Sequence, residues 1–243
     1  MKLALAGDVL GKAVKAVSGL IPEATLTVDK EGLRVLDMDP SNVAMVHLRI
    51  PETNFVEFDL EGKEKEEISL QLTDITPILK RITKDDIVSL TLIENARLKL
   101  SFSGKNYEVP LIDIEGKEQK EEPELDPKYS VTVKTRILKS LIEDASIVSE
   151  DVSFEKEPKE EFKIRAAGEL KKFDSPVQVE STPKETEEKV SSKYAIEYLN
   201  KMVNTSFATA VTLSFATDYP LAATFQNDNF SVKFILAPRV ESE

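Results

Sequence analysis

Alternation of apolar and polar positions is the dominant pattern along this chain. Ile87 to Leu92 (IVSLTL) and Ala210 to Phe215 (AVTLSF) place an apolar residue at every second position, as a strand with one buried face requires. Ala24 to Val28 and Leu33 to Leu36 predict two strands joined by Asp29-Lys30-Glu31-Gly32, where Gly32 can supply the positive φ of a hairpin turn. Val43 to Ile50 predicts a further strand ended by Pro51. Arg97 to Phe102 and Asn106 to Ile112 predict a hairpin across Ser103-Gly104-Lys105. The run from Phe234 breaks at Ala237 and Pro238 and then turns acidic. Apolar spacing near 3.6 residues predicts four short helices: Asp8 to Leu20, Leu72 to Lys84, Thr135 to Ile147 and Ser192 to Asn204.

The order of these elements repeats. A helix with Ile75, Ile78 and Leu79 on its apolar face precedes Ile87–Leu92, and one with Ala195, Tyr198 and Leu199 precedes Ala210–Phe215. Duplication of an α+β unit accounts for both halves. The expected domains are 1–115 and 129–243, with the charged, Pro-containing stretch 116–128 as the connector. Thr182 to Lys189 predicts a charged loop before the fourth helix.

Charge complicates this picture. The 243 residues carry a formal net charge of −12, which argues against nucleic acid if it is evenly spread. It is not evenly spread: the four predicted helices hold nine basic residues against five acidic. Cysteine is absent, which excludes a disulfide framework and Cys-ligated metal and fits a reducing compartment. No run of apolar residues is long enough for a membrane helix, and the N-terminal stretch is a poor secretory segment. The expectation is a soluble intracellular protein with no membrane partner. Charged residues make up 31% of the chain, a balance compatible with a thermophile.

Candidate chemistry is sparse. The single histidine, His47, sits in a strand pattern, and no nucleophile elbow, phosphate loop or dinucleotide fingerprint occurs. Asp37 with Asp39, and Asp85 with Asp86, read as solvated turn carboxylates rather than a metal site. The expectation is a protein with no enzymatic activity, catalytic residue, cofactor or metal.

Five segments in order resemble the sliding clamp family that includes proliferating cell nuclear antigen: LDMDPSNVAMV (Leu36 to Val46), LTDITPILKRITKDDIVSLTL (Leu72 to Leu92), YAIEYLNKMV (Tyr194 to Val203), DYPLAATF (Asp218 to Phe225) and LAPRVE (Leu236 to Glu241). The resemblance, closer to archaeal than to eukaryotic clamps, implies two similar α+β domains per subunit, with helices lining a channel, antiparallel sheets outside, and three subunits in a ring. The implied function is a DNA polymerase processivity factor that encircles duplex DNA without sequence preference. The implied partners are DNA polymerase, flap endonuclease, ligase and a clamp loader, all through short docking peptides, in the cytoplasm, or the nucleus if the source is eukaryotic. A subunit of a heterotrimeric or checkpoint-type clamp, or an acidic scaffold with no DNA role, are the alternatives.

Carried onto this chain, the resemblance assigns DNA contact to Lys12 and Lys15 on the first helix, Lys80, Arg81 and Lys84 on the second, Arg136 and Lys139 on the third, and Lys193 and Lys201 on the fourth. It assigns the partner-peptide pocket to Met38, Val43, Met45, Leu125, Pro220, Ile235, Ala237 and Pro238. The charged residues from Lys117 to Glu122 lie beside that pocket in sequence. It places the subunit interface on an edge strand with Lys105, Tyr107, Val109 and Leu111, and on a second strand from Phe173 to Ser181 with Phe173, Val177 and Val179. Pro176 lacks an N–H and must sit at a strand end or face away from a partner.

Overall fold

The computed structural model describes residues 1–93, 96–113, 120–204 and 207–239. Residues 116–119 of the expected connector and 240–243 of the acidic tail lie outside the described residues. The first half of the chain runs β1 (Lys2–Ala6), α1 (Gly7–Ser18), β2 (Glu23–Asp29), β3 (Gly32–Met38), β4 (Ala44–Pro51), a 3-10 turn at Glu52–Asn54, β5 (Phe55–Asp59), β6 (Lys65–Gln71), α2 (Leu72–Leu79), β7 (Ile87–Ile93), β8 (Arg97–Phe102) and β9 (Lys105–Pro110). The second half runs β10 (Tyr129–Lys134), α3 (Thr135–Ser146), β11 (Asp151–Lys156), β12 (Lys163–Ala167), β13 (Lys172–Pro176), β14 (Val179–Lys184), β15 (Val190–Ala195), α4 (Ile196–Val203), β16 (Ala210–Phe215), β17 (Leu221–Gln226) and β18 (Ser231–Leu236). Element for element, β1 to β9 with α1 and α2 repeat as β10 to β18 with α3 and α4.

The sheets repeat as well. The order β5-β1-β7-β8-β9 recurs as β14-β10-β16-β17-β18, and β6-β2-β3-β4 recurs as β15-β11-β12-β13. One pair has no counterpart within the chain: β18 lies beside β4, whereas their equivalents β9 and β13 are each the last strand of a sheet. The chain forms two compact units, Met1–Pro40 with Val46–Glu122 and Asn227–Val232, and Ser41–Met45 with Pro123–Gln226 and Lys233–Glu243. The boundary between the units therefore runs through β4 and β18 themselves.

Helix boundaries follow local chemistry. In α1, Val9, Leu10, Ala13, Ala16 and Val17 form the buried stripe; in α3 it is Leu138, Ile142 and Ala145. α1 packs beside α2, and α3 beside α4. α2 stops at Leu79, five residues before the expected end: the chain tightens to three-residue turns, with Arg81 N donating to Ile78 O at 2.9 Å and Ile82 N to Leu79 O at 3.2 Å, and the Asp86 carboxylate then captures Thr83 N at 2.7 Å. α4 begins at Ile196 rather than Ser192, since Val190–Ala195 is committed to a six-residue ladder with β11.

Hairpins use the turn chemistry their residues allow. Phe102 pairs with Lys105, and Ser103 (φ 47) with Gly104 (φ 73) closes a two-residue turn with both φ positive, so Lys105 belongs to β9 rather than to the turn. Gly32 (φ 129) is constrained twice over, because a Cβ there would lie 2.2 Å from Ile50 O.

In the second unit the core is aromatic: Tyr129, Phe154, Phe162, Tyr194 and Phe215 meet edge-on or tilted at 5.4 to 6.0 Å. Lys156 is buried beside it. Its Nζ donates to Glu157 O at 3.0 Å and Glu160 O at 2.7 Å, pairs with Glu185 at 3.1 Å, and lies 5.7 Å from the Tyr129 ring. Burial pushes the Tyr129 hydroxyl up to about 12. Removing a buried charge that satisfies three acceptors strands those acceptors, so Lys156→Ala is expected to lower unfolding free energy by about 3 kcal/mol. Exposed Lys159→Ala is expected to change it by less than about 0.5 kcal/mol. A denaturant titration of both variants checks this.

Candidate docking face, cation surface and free sheet edges

Within the second unit, four segments outside the strands carry most of the expected docking residues. Val43, just before β4, accepts a hydrogen bond through its carbonyl from Ala237 N at 2.9 Å, which fixes the Ala237-Pro238 break against it. Arg239 continues that segment, with its N donating to Lys193 O at 2.7 Å and its Nε to Asp151 Oδ1 at 3.1 Å. Leu125 and Pro220 are brought near each other by their neighbours: Asp126 N donates to the Tyr219 hydroxyl at 3.1 Å. Met45 and Ile235 are buried, whereas Val43, Leu125, Pro220 and Pro238 are half-exposed and Ala237 is exposed. Met38 ends β3 in the first unit, half-buried.

Sequence reasoning missed the residues that hold these loops. Tyr219 O accepts from Tyr194 Oη at 2.8 Å and Ser192 Oγ at 3.2 Å. Burial pushes the Tyr194 hydroxyl well above its ordinary range, so it remains a donor at physiological pH. In the first unit, Lys120 pairs with buried Asp37 at 2.8 Å, and Glu122 with His47. His47 thus holds the connector by a side-chain hydrogen bond. The Tyr of Asp-Tyr-Pro was the available signal for Tyr219; nothing local marks Asp37 or Glu122.

The cations fall into two classes. Lys12 pairs with Asp8 at 2.7 Å, Lys139 with Glu143 at 3.9 Å and Lys201 with Glu197 at 2.6 Å, each one helical turn away. The Lys201 ammonium holds the Glu197 carboxyl below its usual range. Lys15, Lys80, Arg81, Lys84 and Arg136 are exposed and have no ion-pair partner among the described residues. Two placements differ from expectation. Lys80, Arg81 and Lys84 follow α2 rather than lying on it, and Lys193 is on β15, for the reasons given above. Helices α1 to α4 themselves are balanced, with five basic and five acidic residues.

The loop after α2 is held by Asp86. Thr83 donates to its carboxylate through N at 2.7 Å and Oγ1 at 2.9 Å, Ser103 Oγ donates to the other oxygen, and Asp86 O accepts from Gly7 N at 2.8 Å. The Ser103 hydroxyl, then Thr83, holds this carboxyl below its usual range. Among the described residues no group of three or more acidic or histidine side chains is placed to hold a metal ion, and no helix is long and apolar enough to cross a membrane.

Among the described residues, β9 and β13 are two of the six strands that end a sheet, with β5, β6, β14 and β15 the others. On β9, Lys105 lies over Phe102 at 5.6 Å, Tyr107 stacks on Phe102 at 5.7 Å and Val109 is buried. Leu111 lies past the end of β9. The expected strand from Phe173 to Ser181 is two strands in different sheets: β13 pairs with β12, and β14 pairs with β10. Val177 sits at the switch, buried, donating from N to Phe162 O at 2.9 Å, and Val179 opens β14. The alternation Phe173, Ser175, Val177, Val179 runs unbroken through this change of sheet. Exposed Leu170 at the tip of the β12–β13 hairpin and exposed Ile147 after α3 lie near this edge in sequence or space, since Gly168 approaches Val148 O.

Pro176 closes β13. Gly168 N donates to Lys171 O at 2.9 Å, which sets the hydrogen-bonding phase of the hairpin. Alternation then turns the backbone groups of Lys172, Asp174 and Pro176 outward. The missing Pro176 N–H costs only the last rung of the open edge.

Known proteins match this arrangement. The family model for the proliferating cell nuclear antigen N-terminal domain matches residues 2–115. A DNA polymerase sliding clamp from Thermococcus gammatolerans is 35% identical over 236 residues, covering 94% of this chain and 93% of the relative. One from Pyrococcus horikoshii is 32% identical with the same coverage. The solved structure of the C-terminal region of FEN-1 bound to A. fulgidus PCNA superposes with a TM-score of 0.90 at 27% identity, covering 100% of this chain and 99% of that one. The fold is the α+β two-domain clamp fold, and the chain belongs to the proliferating cell nuclear antigen family of DNA polymerase sliding clamps.

Proposed function

We propose that three copies of this chain close head to tail, β9 of one against β13 of the next, into a ring that slides on duplex DNA and tethers replication enzymes. The observation that carries this is the unmatched pair in the repeat. β18 already pairs with β4 inside the chain, and β9 and β13 are their equivalents, left open. Pairing β9 with β13 between copies repeats a junction the sequence is already built to make, and a heterologous contact of this kind closes a ring.

In this reading Lys15, Lys80, Arg81, Lys84 and Arg136 are the principal phosphate contacts, joined more weakly by Lys12, Lys139, Lys193 and Lys201. None reads bases, so sliding is unimpeded. The docking face is Val43, Leu125, Pro220, Ala237 and Pro238, with buried Met45 and Ile235. Its occupants are short peptides of polymerase, flap endonuclease, ligase and loader, a reading supported by the similar A. fulgidus PCNA, which is solved with the C-terminal region of FEN-1 bound. Domains of 1–115 and 129–243 joined by 116–128 serve this division of labour. The protein works without turnover, in the cytoplasm.

Light scattering across a concentration series at moderate salt tests the ring. A mass three times 27.1 kDa is expected. A monomer at every concentration would refute self-closure and favour a heterotrimer subunit.

A further inference from the structure

We propose that Tyr219 is a positioning residue for partner docking: its hydroxyl holds the connector so that Leu125 faces the incoming peptide. The inference rests on the docking face proposed above and adds to it a residue outside the expected set.

The structure builds the support in three steps. Tyr194 and Ser192, both on β15 and both buried, donate to Tyr219 O at 2.8 and 3.2 Å and anchor the loop between β16 and β17. That loop carries Asp218 at φ +48, with its N donating to Ser191 O at 3.1 Å. The conformation is one that few non-glycine residues adopt, and three β15 residues, Ser191, Ser192 and Tyr194, secure the loop around it. From this fixed base the Tyr219 ring reaches out, and its hydroxyl accepts from Asp126 N at 3.1 Å. The Asp126 carboxylate is separately held by Lys128 at 2.7 Å and Lys184 at 3.3 Å, whose hydrogen bonds keep it below its usual range. Those ion pairs are exposed and fix the connector weakly. Further along, Lys128 N donates to Phe215 O at 3.0 Å where the connector enters β10, and next to Leu125 it is the Tyr219 hydroxyl that holds the backbone. It ties the residue after Leu125 to the residue before Pro220, two of the half-exposed apolar groups of the face. A connector ordered before the peptide arrives loses less conformational freedom on binding.

Tyr219→Phe removes this hydroxyl and nothing else. The probe is a fluorescein-labelled peptide of the FEN-1 C-terminal region solved with A. fulgidus PCNA, read by anisotropy against the full chain, with Asp126 amide exchange followed by NMR. The expected result is binding weakened about threefold to tenfold, the range one hydrogen bond controls. Faster Asp126 exchange and an unchanged melting temperature should accompany it. In a Leu125→Ala background the same change is expected to have little further effect, a coupling that a general loss of stability would not produce. If Leu125→Ala weakens the peptide but Tyr219→Phe does not, the inference is overturned and the docking face stands. If neither Leu125→Ala nor Val43→Asp affects the peptide, the docking face falls and the inference with it.

Discussion

Glu108→Pro is expected to turn a trimer of this chain into folded monomers. The two-residue turn at Ser103-Gly104 fixes the phase of β9, because the flanking pair Phe102 and Lys105 exchanges hydrogen bonds and the ladder alternates from there. Lys105, Tyr107 and Val109 therefore bond to β8, and the backbone groups of Asn106, Glu108 and Pro110 face the open edge. Pro110 has no N–H to offer, so Asn106 and Glu108 are the two outward donors of the strand. Proline at 108 removes one of them and places a ring where the neighbour's strand must approach, yet leaves every backbone bond to β8 intact. Light scattering should read about 27.1 kDa at micromolar concentration, with the circular dichroism spectrum unchanged. Glu108→Ala is the control, since it deletes only the 3.5 Å contact with Arg97 and should remain a trimer. Tyr107→Pro breaks the inward ladder and is expected to destabilise the monomer itself. A Glu108→Pro variant that keeps the trimer mass would rule out β9 as the closing edge.

Where local pattern alone decides, the sequence was sufficient. Helices α1 and α3 lie within two residues of the expected ends, and Arg97–Phe102 and Ala210–Phe215 match at both ends, because a single buried face imposes its period on each. The repeat was legible for the same reason. What was not legible is decided by partners distant in sequence. Phe173 to Val179 alternates without interruption, yet the chain changes sheets at Val177, because Val177 N is held by Phe162 O while Val179 pairs with Val133. Ser192 to Ala195 fits a helical face as well as a strand, and the ladder to β11 settled it. The cations show the same limit. Counting basic residues by predicted helix gave an excess of positive charge, but three of those residues belong to the loop organised by Asp86 and one to a strand. Which lysines are already neutralised depends on i,i+4 carboxylates whose geometry only the fold reveals.

That distinction between paired and unpaired cations sets the last expectation. Changing Lys15, Lys80, Arg81 and Arg136 together to neutral residues is expected to cut polymerase processivity on primed DNA at least about tenfold, with the ring mass unchanged. Changing Lys12, Lys139 and Lys201 together is expected to cost markedly less. The reason lies in what each ammonium exchanges. A lysine already 2.6 or 2.7 Å from a carboxylate, as Lys201 and Lys12 are, must give up that partner or share it to reach a phosphate, and its net gain is small. An unpaired, exposed guanidinium gives up only water and releases a counterion from the duplex, about 0.9 of one per contact on the salt slope. Four fewer cations also take the formal net charge from −12 to −16 per chain, so long-range repulsion from DNA rises as local attraction falls. The salt dependence separates these effects. The log–log slope of clamp retention on circular DNA should flatten in the unpaired set and hardly change in the paired set. Equal losses in both sets would mean that the short ion pairs open freely on DNA and that pairing does not select the contacts.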